Sequence, residues 1–284
     1  MTGQGPADVA TVPTALALDW ILLFLHPLTA ATSAGGVWLA VVASLLLLFV
    51  LPFLPQPAPA PAARVDPAHC NGCRRCFEDC PYAAITMVPH PDKRIGMELA
   101  VVDADLCASC GICAGACPTS SPLRIADELV SGIDMPQWPV GALRQRLRQT
   151  LLASGAKRTI VVFGCDRGAR VDRLADAEVE VFSLNCVGML PPTFIEVALR
   201  DGAAGVLVSG CSGAACEFRL GQRWTAERLS GQRQPQLRAS VPAERWQVAW
   251  TDAGDDRALR AALDGLRQRL RDASAVAQAQ TQHG

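Results

Sequence analysis

CNGCRRCFEDCP, residues 70–81, sets four cysteines within eleven positions and follows the last with a proline. CASCGICAGACP, residues 107–118, does the same. Both read Cys-x2-Cys-x2-Cys-x3-Cys-Pro. Three cysteines spaced by two residues let a short loop aim three sulfurs at three corners of a cubane iron–sulfur cluster, and the fourth iron takes its ligand from elsewhere. In a two-cluster arrangement the fourth cysteine of each run crosses to the other cluster. Cys70, Cys73, Cys76 and Cys117 are therefore expected to hold one 4Fe-4S cluster, and Cys107, Cys110, Cys113 and Cys80 the second. Pro81 and Pro118 turn the chain away after each crossing ligand.

Zinc also selects Cys-x2-Cys pairs, but two pairs complete a four-cysteine zinc site and leave the duplicated triple with its Cys-Pro unexplained. Between the runs, ITMV and MELAVV read as short strands around the turn-forming HPDKRIG. On these motifs residues 66–125 resemble a two-4Fe-4S bacterial-type ferredoxin domain, of α+β class. The resemblance implies a relay for single electrons that does no bond chemistry of its own.

Composition bounds the rest. A chain of 284 residues has room for two domains. With 26 Lys and Arg against 27 Asp and Glu, the net charge is −1 and no basic field exists to draw in a phosphate backbone, so nucleic acid is not an expected partner. Twelve cysteines would mean disulfides in a small secreted scaffold, but this chain is long, and eight of the twelve sit in cluster spacing, where they must stay reduced. The cysteine domains are expected to face the cytoplasm.

Half of the residues are hydrophobic, and much of the excess lies in VWLAVVASLLLLFVLPFL, residues 37–54, eighteen residues without a charge and the minimum length of a spanning helix. The first 36 residues carry no Lys or Arg, which argues against a secretory leader. Residues 1–54 thus read as a membrane anchor. Within it, residues 14–33 are interrupted by Asp19, His26 and Pro27, and fit a partly inserted segment packed on another subunit, with a two-helix hairpin as the competing reading. PQPAPAPAAR follows, a semi-rigid polyproline spacer within a linker over residues 55–65.

Residues 126–157 read as a linker and the helix GALRQRLRQTLL. Its Arg144, Arg146 and Arg148 could form a docking patch for an acidic partner, but a solvated helix face is the plainer reading. From residue 158 to 272 the pattern is α/β. TIVVFG (159–164), VEVFSL (179–184), AGVLVSG (204–210) and WQVAW (246–250) are short apolar strands, and alternation with helices implies a parallel sheet covered on both faces. Leu259, Leu263, Leu266 and Leu270 make one apolar face of the last helix, and residues 273–284 read as a disordered tail.

Three further cysteines, Cys165, Cys186 and Cys211, fall at the carboxyl ends of these strands, and a tight loop brings Cys216 to the same edge. Ligand sites of open α/β sheets collect there. One free cysteine alone is usually a buried small hydrophobe, but four at one edge point to a shared inorganic centre. Residues 158–224, especially CVGMLPPTFIEVALRDGAAGVLVSGCSGAAC, are similar to the delta subunit of methyl-viologen-reducing hydrogenase, a family also found fused to heterodisulfide-reductase components. The resemblance implies a 2Fe-2S cluster on Cys165, Cys186, Cys211 and Cys216 and electron transfer between a hydrogenase or dehydrogenase and its redox partner. The family's Cys-x-x-Cys here reads Cys165-Asp-Arg-Gly168, and its His-x-Gly-Asp-Cys turn reads Ser212-Gly-Ala-Ala-Cys216, so one family cysteine is missing.

LDWILLFLHPLTAATSAGGVWLAVVASLLLLFVLPFLP resembles part of the C-terminal portion of cytochrome b, where a Pro-Glu-Trp-Tyr or Pro-Asp-Trp-Tyr motif at the quinol-oxidising site precedes a spanning helix. Asp19 and Trp20 match the acid and the Trp, while Leu18 and Ile21 replace Pro and Tyr. The resemblance implies that Asp19 meets quinol and that the helix delivers residue 55 to the cytoplasm; a helix-flanking Asp is the plainer reading. His26 stands alone, where a haem held by two histidines needs a second.

The expected protein is a membrane-anchored electron-transfer subunit linking a quinone or cytochrome b partner to a cytoplasmic oxidoreductase of hydrogenase or heterodisulfide-reductase type, itself without a catalytic residue. The alternative is a cysteine-based redox sensor or assembly factor, with accessible low-pKa thiols in the C-terminal domain. A catalytic reductase would need an open iron site, which four cysteine ligands do not leave.

Overall fold

The computed structural model describes residues 25–55, 60–91, 98–123, 129–155 and 158–282, with side chains omitted at 25–26 and 276–282. The chain divides into two units, Met1–Pro59 and Ala60–Gly284.

In the first unit, Ser33 sits in extended backbone and its hydroxyl accepts the Gly36 N–H at 3.1 Å, capping the helix Ala34–Val50. The helix tightens into a 3-10 turn, Leu51–Phe53, at Pro52. Its faces are apolar nearly all round, and Trp38, Leu47 and Phe49 are exposed. Ala34–Phe53, 20 residues with a mean hydropathy of 2.5, is long and apolar enough to cross a membrane; at about 1.5 Å per residue it matches a hydrocarbon core of about 30 Å. Of the segment 14–33, the described part contains the helix Leu25–Ala31. Asp19 and Trp20 lie outside the described residues.

The second unit begins earlier than the expected spacer allows. Ala63 is buried, Arg64–Val65 form strand β1, and the carbonyls of Ala60 and Pro61 both accept the Ser109 hydroxyl at 3.0 Å. An extended proline-rich backbone leaves its carbonyls free, and here the folded domain uses them. Strand β1 pairs antiparallel with β4, Ile133–Asp134, while β2 (Ile85–Pro89) and β3 (Glu98–Val102) form the expected hairpin. Short helices Arg75–Glu78 and Ile112–Ala116 carry the third cysteine of each run. Ile85, Ala100, Ile133 and Met135 pack among the cysteines as a small core.

The remainder is a four-stranded parallel sheet in the order β6-β5-β7-β8, from β5 (Ile160–Cys165), β6 (Val179–Leu184), β7 (Gly205–Gly210) and β8 (Trp246–Trp250). Alternation along β5 sends Val161, Phe163 and Cys165 to one core, with helices Val140–Ser154 and Thr193–Arg200, and Ile160 and Val162 to the other. Leu259, Leu263, Leu266 and Leu270 close that second core. Their helix starts at Asp256 and runs to Gln282, past residue 273, where a tail was expected. Because β6 and β7 flank β5 on opposite sides, the chain changes direction across β5, the place where open sheets leave a crevice at their carboxyl ends.

Candidate metal centres

Two cavities lie in the cysteine-run domain, and each recruits from both runs. One is lined by Cys70, Cys73 and Cys76 with Cys117. The other is lined by Cys107, Cys110 and Cys113 with Cys80. The duplicated sequence achieves this with a duplicated backbone. Gly72 (φ 64°) and Ser109 (φ 55°) occupy equivalent positions in the two runs, as do Arg74 (φ 64°) and Gly111 (φ 78°). Left-handed residues between successive cysteines bend each loop around one volume, which an ordinary extended or helical path would not do. Gly72 is needed for space as well, since a β-carbon there would lie 2.5 Å from the Glu98 carbonyl oxygen.

The donors fit a polynuclear iron–sulfur group. The fit rests on the four thiols that line each cavity; among the described residues no group of three or more His, Cys, Asp or Glu is placed to hold a single metal ion. Burial pushes the Cys110 thiol up to about 11, Cys76 up to about 12, and Cys113 well above its ordinary value. Thiolates so placed call for positive charge beside them, which bound iron would supply. Cys80 Sγ also accepts the Ala84 N–H at 3.3 Å, the kind of bond that tunes a cluster's potential.

The other four cysteines meet at the carboxyl edge of the sheet. Cys165 ends β5, Cys186 lies two residues beyond β6, and Cys211 immediately follows β7. Those three are buried and Cys216 is half-buried. Cys211 lies close enough to Cys165 and Cys216 to shift their shared titration, and the Cys165 thiol donates to the Asn185 carbonyl at 3.6 Å. A β-carbon on Gly221 would lie 2.5 Å from Cys186 Sγ and 3.8 Å from Cys216 Sγ, so these two sulfurs flank the first turn of helix Gly221–Leu229. Backbone N–H groups of Gly188 and Gln222 donate to Cys186 and Cys216 at 3.3 and 3.5 Å. The neighbouring Cys211 thiol lowers the Cys165 thiol to about 6 and is itself held high, while burial raises Cys186. Gly168, where the delta-subunit motif has a cysteine, is buried at the same edge, and a β-carbon there would lie 3.1 Å from Cys211 N.

A second set of functional residues joins the two cysteine-bearing domains, and no sequence motif announced it. Arg228 ion-pairs with Asp79, next to Cys80, and donates from Nη1 to the Gly188 carbonyl at 3.0 Å. Arg233 adds a 2.6 Å bond to Asp79 and lies over the Trp224 ring, 4.7 Å from its centroid. Asn185 Nδ2 donates to the Ser109 carbonyl at 2.9 Å. Cys110, Ile112, Cys186, Phe218 and Trp224 form one apolar cluster with Tyr82 against it. Arg144, by contrast, pairs with Asp201 at 2.5 Å, and Arg146 stacks over Phe182, so two of the three helix arginines have structural roles.

Residues 69–121 match the family model of the 4Fe-4S dicluster domain, the class of iron–sulfur electron carriers. More particularly, residues 160–273 match that of the methyl-viologen-reducing hydrogenase delta subunit. The two domains together mark the chain as an electron-transfer subunit of an oxidoreductase. No curated protein matches it.

Proposed function

We propose that this chain is a membrane-anchored electron-transfer subunit carrying three centres: 4Fe-4S clusters on Cys70, Cys73, Cys76 and Cys117 and on Cys107, Cys110, Cys113 and Cys80, and a 2Fe-2S cluster on Cys165, Cys186, Cys211 and Cys216. When bound, each cluster gains and loses one electron at a time; the protein sets its position, burial and hydrogen bonding. The observation that carries the reading is the pair of cavities, each lined by three cysteines of one run and the fourth of the other. The delta-subunit match supports a cytoplasmic oxidoreductase of hydrogenase or heterodisulfide-reductase type as one partner. The apolar helix Ala34–Phe53 supports a membrane anchor; the cytochrome b-like subunit or quinone at the other end, Asp19 at a quinol site and the cluster domains in the cytoplasm rest on the sequence resemblance alone.

A redox sensor or assembly factor is the second reading. The lowered Cys165 thiol favours it, and the burial of Cys165, Cys186 and Cys211 opposes it, because a thiol switch needs access. Anaerobic iron and sulfide analysis with EPR during a redox titration decides between them, on the intact chain and a Cys186→Ser/Cys211→Ser double variant. Two coupled 4Fe-4S signals and a 2Fe-2S signal lost only in the variant support three centres. Iron equal to two cubanes in both proteins removes the C-terminal cluster.

A further inference from the structure

The two cubane sites are not equivalent with respect to the C-terminal cysteines. The site lined by Cys80, Cys107, Cys110 and Cys113 lies against the junction between domains. Cys110 shares an apolar cluster with Cys186, and Ile112, wholly buried, packs with them. A β-carbon on Gly115 would lie 2.1 Å from the Gly188 carbonyl oxygen, so the helix carrying Cys113 rests directly on the turn that follows Cys186. Asn185, beside Cys186, donates to the carbonyl of Ser109, beside Cys110. Arg219 Nη1 donates to the Pro81 carbonyl at 3.1 Å, and its guanidinium covers the Tyr82 ring.

The site lined by Cys70, Cys73, Cys76 and Cys117 has different surroundings. The walls of both cavities come from the cysteine-run domain; what differs is the next layer, because none of Cys70, Cys73, Cys76 and Cys117 joins the apolar cluster that contains Cys186. Among the described cysteines Cys73 is the exposed one, and the exposed ring of Phe77 lies four residues along the same run.

We infer that the Cys80, Cys107, Cys110 and Cys113 site is the middle station between the C-terminal cysteines and the Cys70, Cys73, Cys76 and Cys117 site, and that Arg228 is the positioning residue that holds it there. The inference rests on the three-centre reading above and adds the order of the centres. Arg228 suits the role because one buried guanidinium spans both loops, binding Asp79 beside Cys80 and the Gly188 carbonyl beyond Cys186. A planar fork with several donors does this where a lysine, a single point charge, reaches only one of them.

The test is microwave power saturation of the C-terminal centre's EPR signal in the reduced, full-length protein, with iron and sulfide measured on every sample. A neighbouring paramagnetic cluster speeds the relaxation of that signal. In a Cys107→Ser sample whose iron count has fallen by one cubane the enhancement is expected to be lost, and in a Cys73→Ser sample with the same fall it is expected to remain. The reverse pattern, or equal effects, overturns the order. If Cys107→Ser does not fold, Arg228→Lys decides: with a full iron count, it is expected to lose part of the enhancement, while unchanged saturation overturns the positioning role. An intact chain with the iron of two cubanes and no third signal overturns the three-centre reading, and this order with it; the iron count separates that failure from a wrong order.

Discussion

The Arg228 guanidinium and the Asp79 carboxylate, 1% and 4% exposed, ion-pair across the junction between the cysteine-run domain and the parallel-sheet domain. Each charge is tolerable only because the other is there, together with Arg233 and the Gly188 carbonyl. Removing one partner leaves the other buried and uncompensated, which costs about 3–5 kcal/mol. Asp79→Leu is therefore expected to lower the denaturation midpoint of the cluster-loaded protein by that order. Arg223→Ala, which removes a 2.9 Å pair with Glu227 from an arginine 72% exposed, is expected to cost under about 1 kcal/mol. Equal midpoints for the two variants would contradict this account of the junction.

Gly115 makes a steric test of the same junction. With the Gly188 carbonyl oxygen 2.1 Å from where a β-carbon would stand, Gly115→Ala cannot be accommodated without separating two backbones. Overpacking of this kind costs about 1–3 kcal/mol or more. Gly265→Ala is the control: it lies inside the helix Asp256–Gln282 with only the Arg269 side chain near, at 4.0 Å, and alanine there is expected to gain about 0.5–1 kcal/mol from lower chain entropy. Thermal melts should move in opposite directions; a Gly115→Ala melt at or above the parent's would show that the helix does not rest on the turn after Cys186.

Much of the site could be read in the sequence because cluster ligation imposes spacing. The two runs, the hairpin and the strands ending near Cys165, Cys186 and Cys211 all follow from local pattern. What escaped depends on side chains distant in sequence. Arg228 sits in GQRWTAERL, where it looks like one more solvent-facing charge, and only the tertiary fold turns it inward onto Asp79. The same holds for the spacer: a run of prolines and alanines signals extended backbone, but not whether its carbonyls find a donor such as Ser109.

Asp134 gives a pH dependence away from the clusters. Its carboxylate accepts the N–H groups of Val140 and Met135 at 2.9 and 2.8 Å, yet burial wins and raises its pKa from 3.8 to about 6. The folded state thus keeps a proton that the unfolded chain gives up. Its stabilising contribution is full below the unfolded pKa and is lost as pH rises through the folded one. Between pH 5 and 7.5 the parent should lose about 1.4 kcal/mol that Asp134→Asn does not lose. Urea titrations at the two pH values measure the difference, and parallel slopes for parent and variant would show that Asp134 is ionised throughout.

The apolar helix predicts a charge sensitivity. Leu45 lies near the middle of Ala34–Phe53 and is exposed. If the helix spans a bilayer, Leu45→Arg places a charge near its centre at a cost of about 2.5–3.5 kcal/mol on an insertion scale. Alkaline extraction of membranes is expected to release the variant and retain the parent. Leu152→Arg, an equally drastic change at an exposed leucine of the second unit, should stay with the membrane fraction. Retention of both variants would mean that some other part of the chain, or a partner, does the anchoring.

The crossing of the fourth ligands can be tested residue by residue. If each run served its own cluster, losing Cys117 would disturb the same cubane as losing Cys107, because both lie in the second run. The cavities pair them otherwise: Cys117 lines the space with Cys70, Cys73 and Cys76, and Cys80 lines the space with Cys107, Cys110 and Cys113. Cys117→Ser should therefore reproduce the EPR and potentiometric changes of Cys70→Ser, and Cys80→Ser those of Cys107→Ser. Serine keeps the size and a weaker oxygen ligand, so the expected change is a shifted potential or loss of one cluster's iron, with the other cluster's signal intact. Matching Cys117→Ser to Cys107→Ser instead would place each cluster within its own run, and the left-handed residues Gly72, Arg74, Ser109 and Gly111 would then need a different explanation.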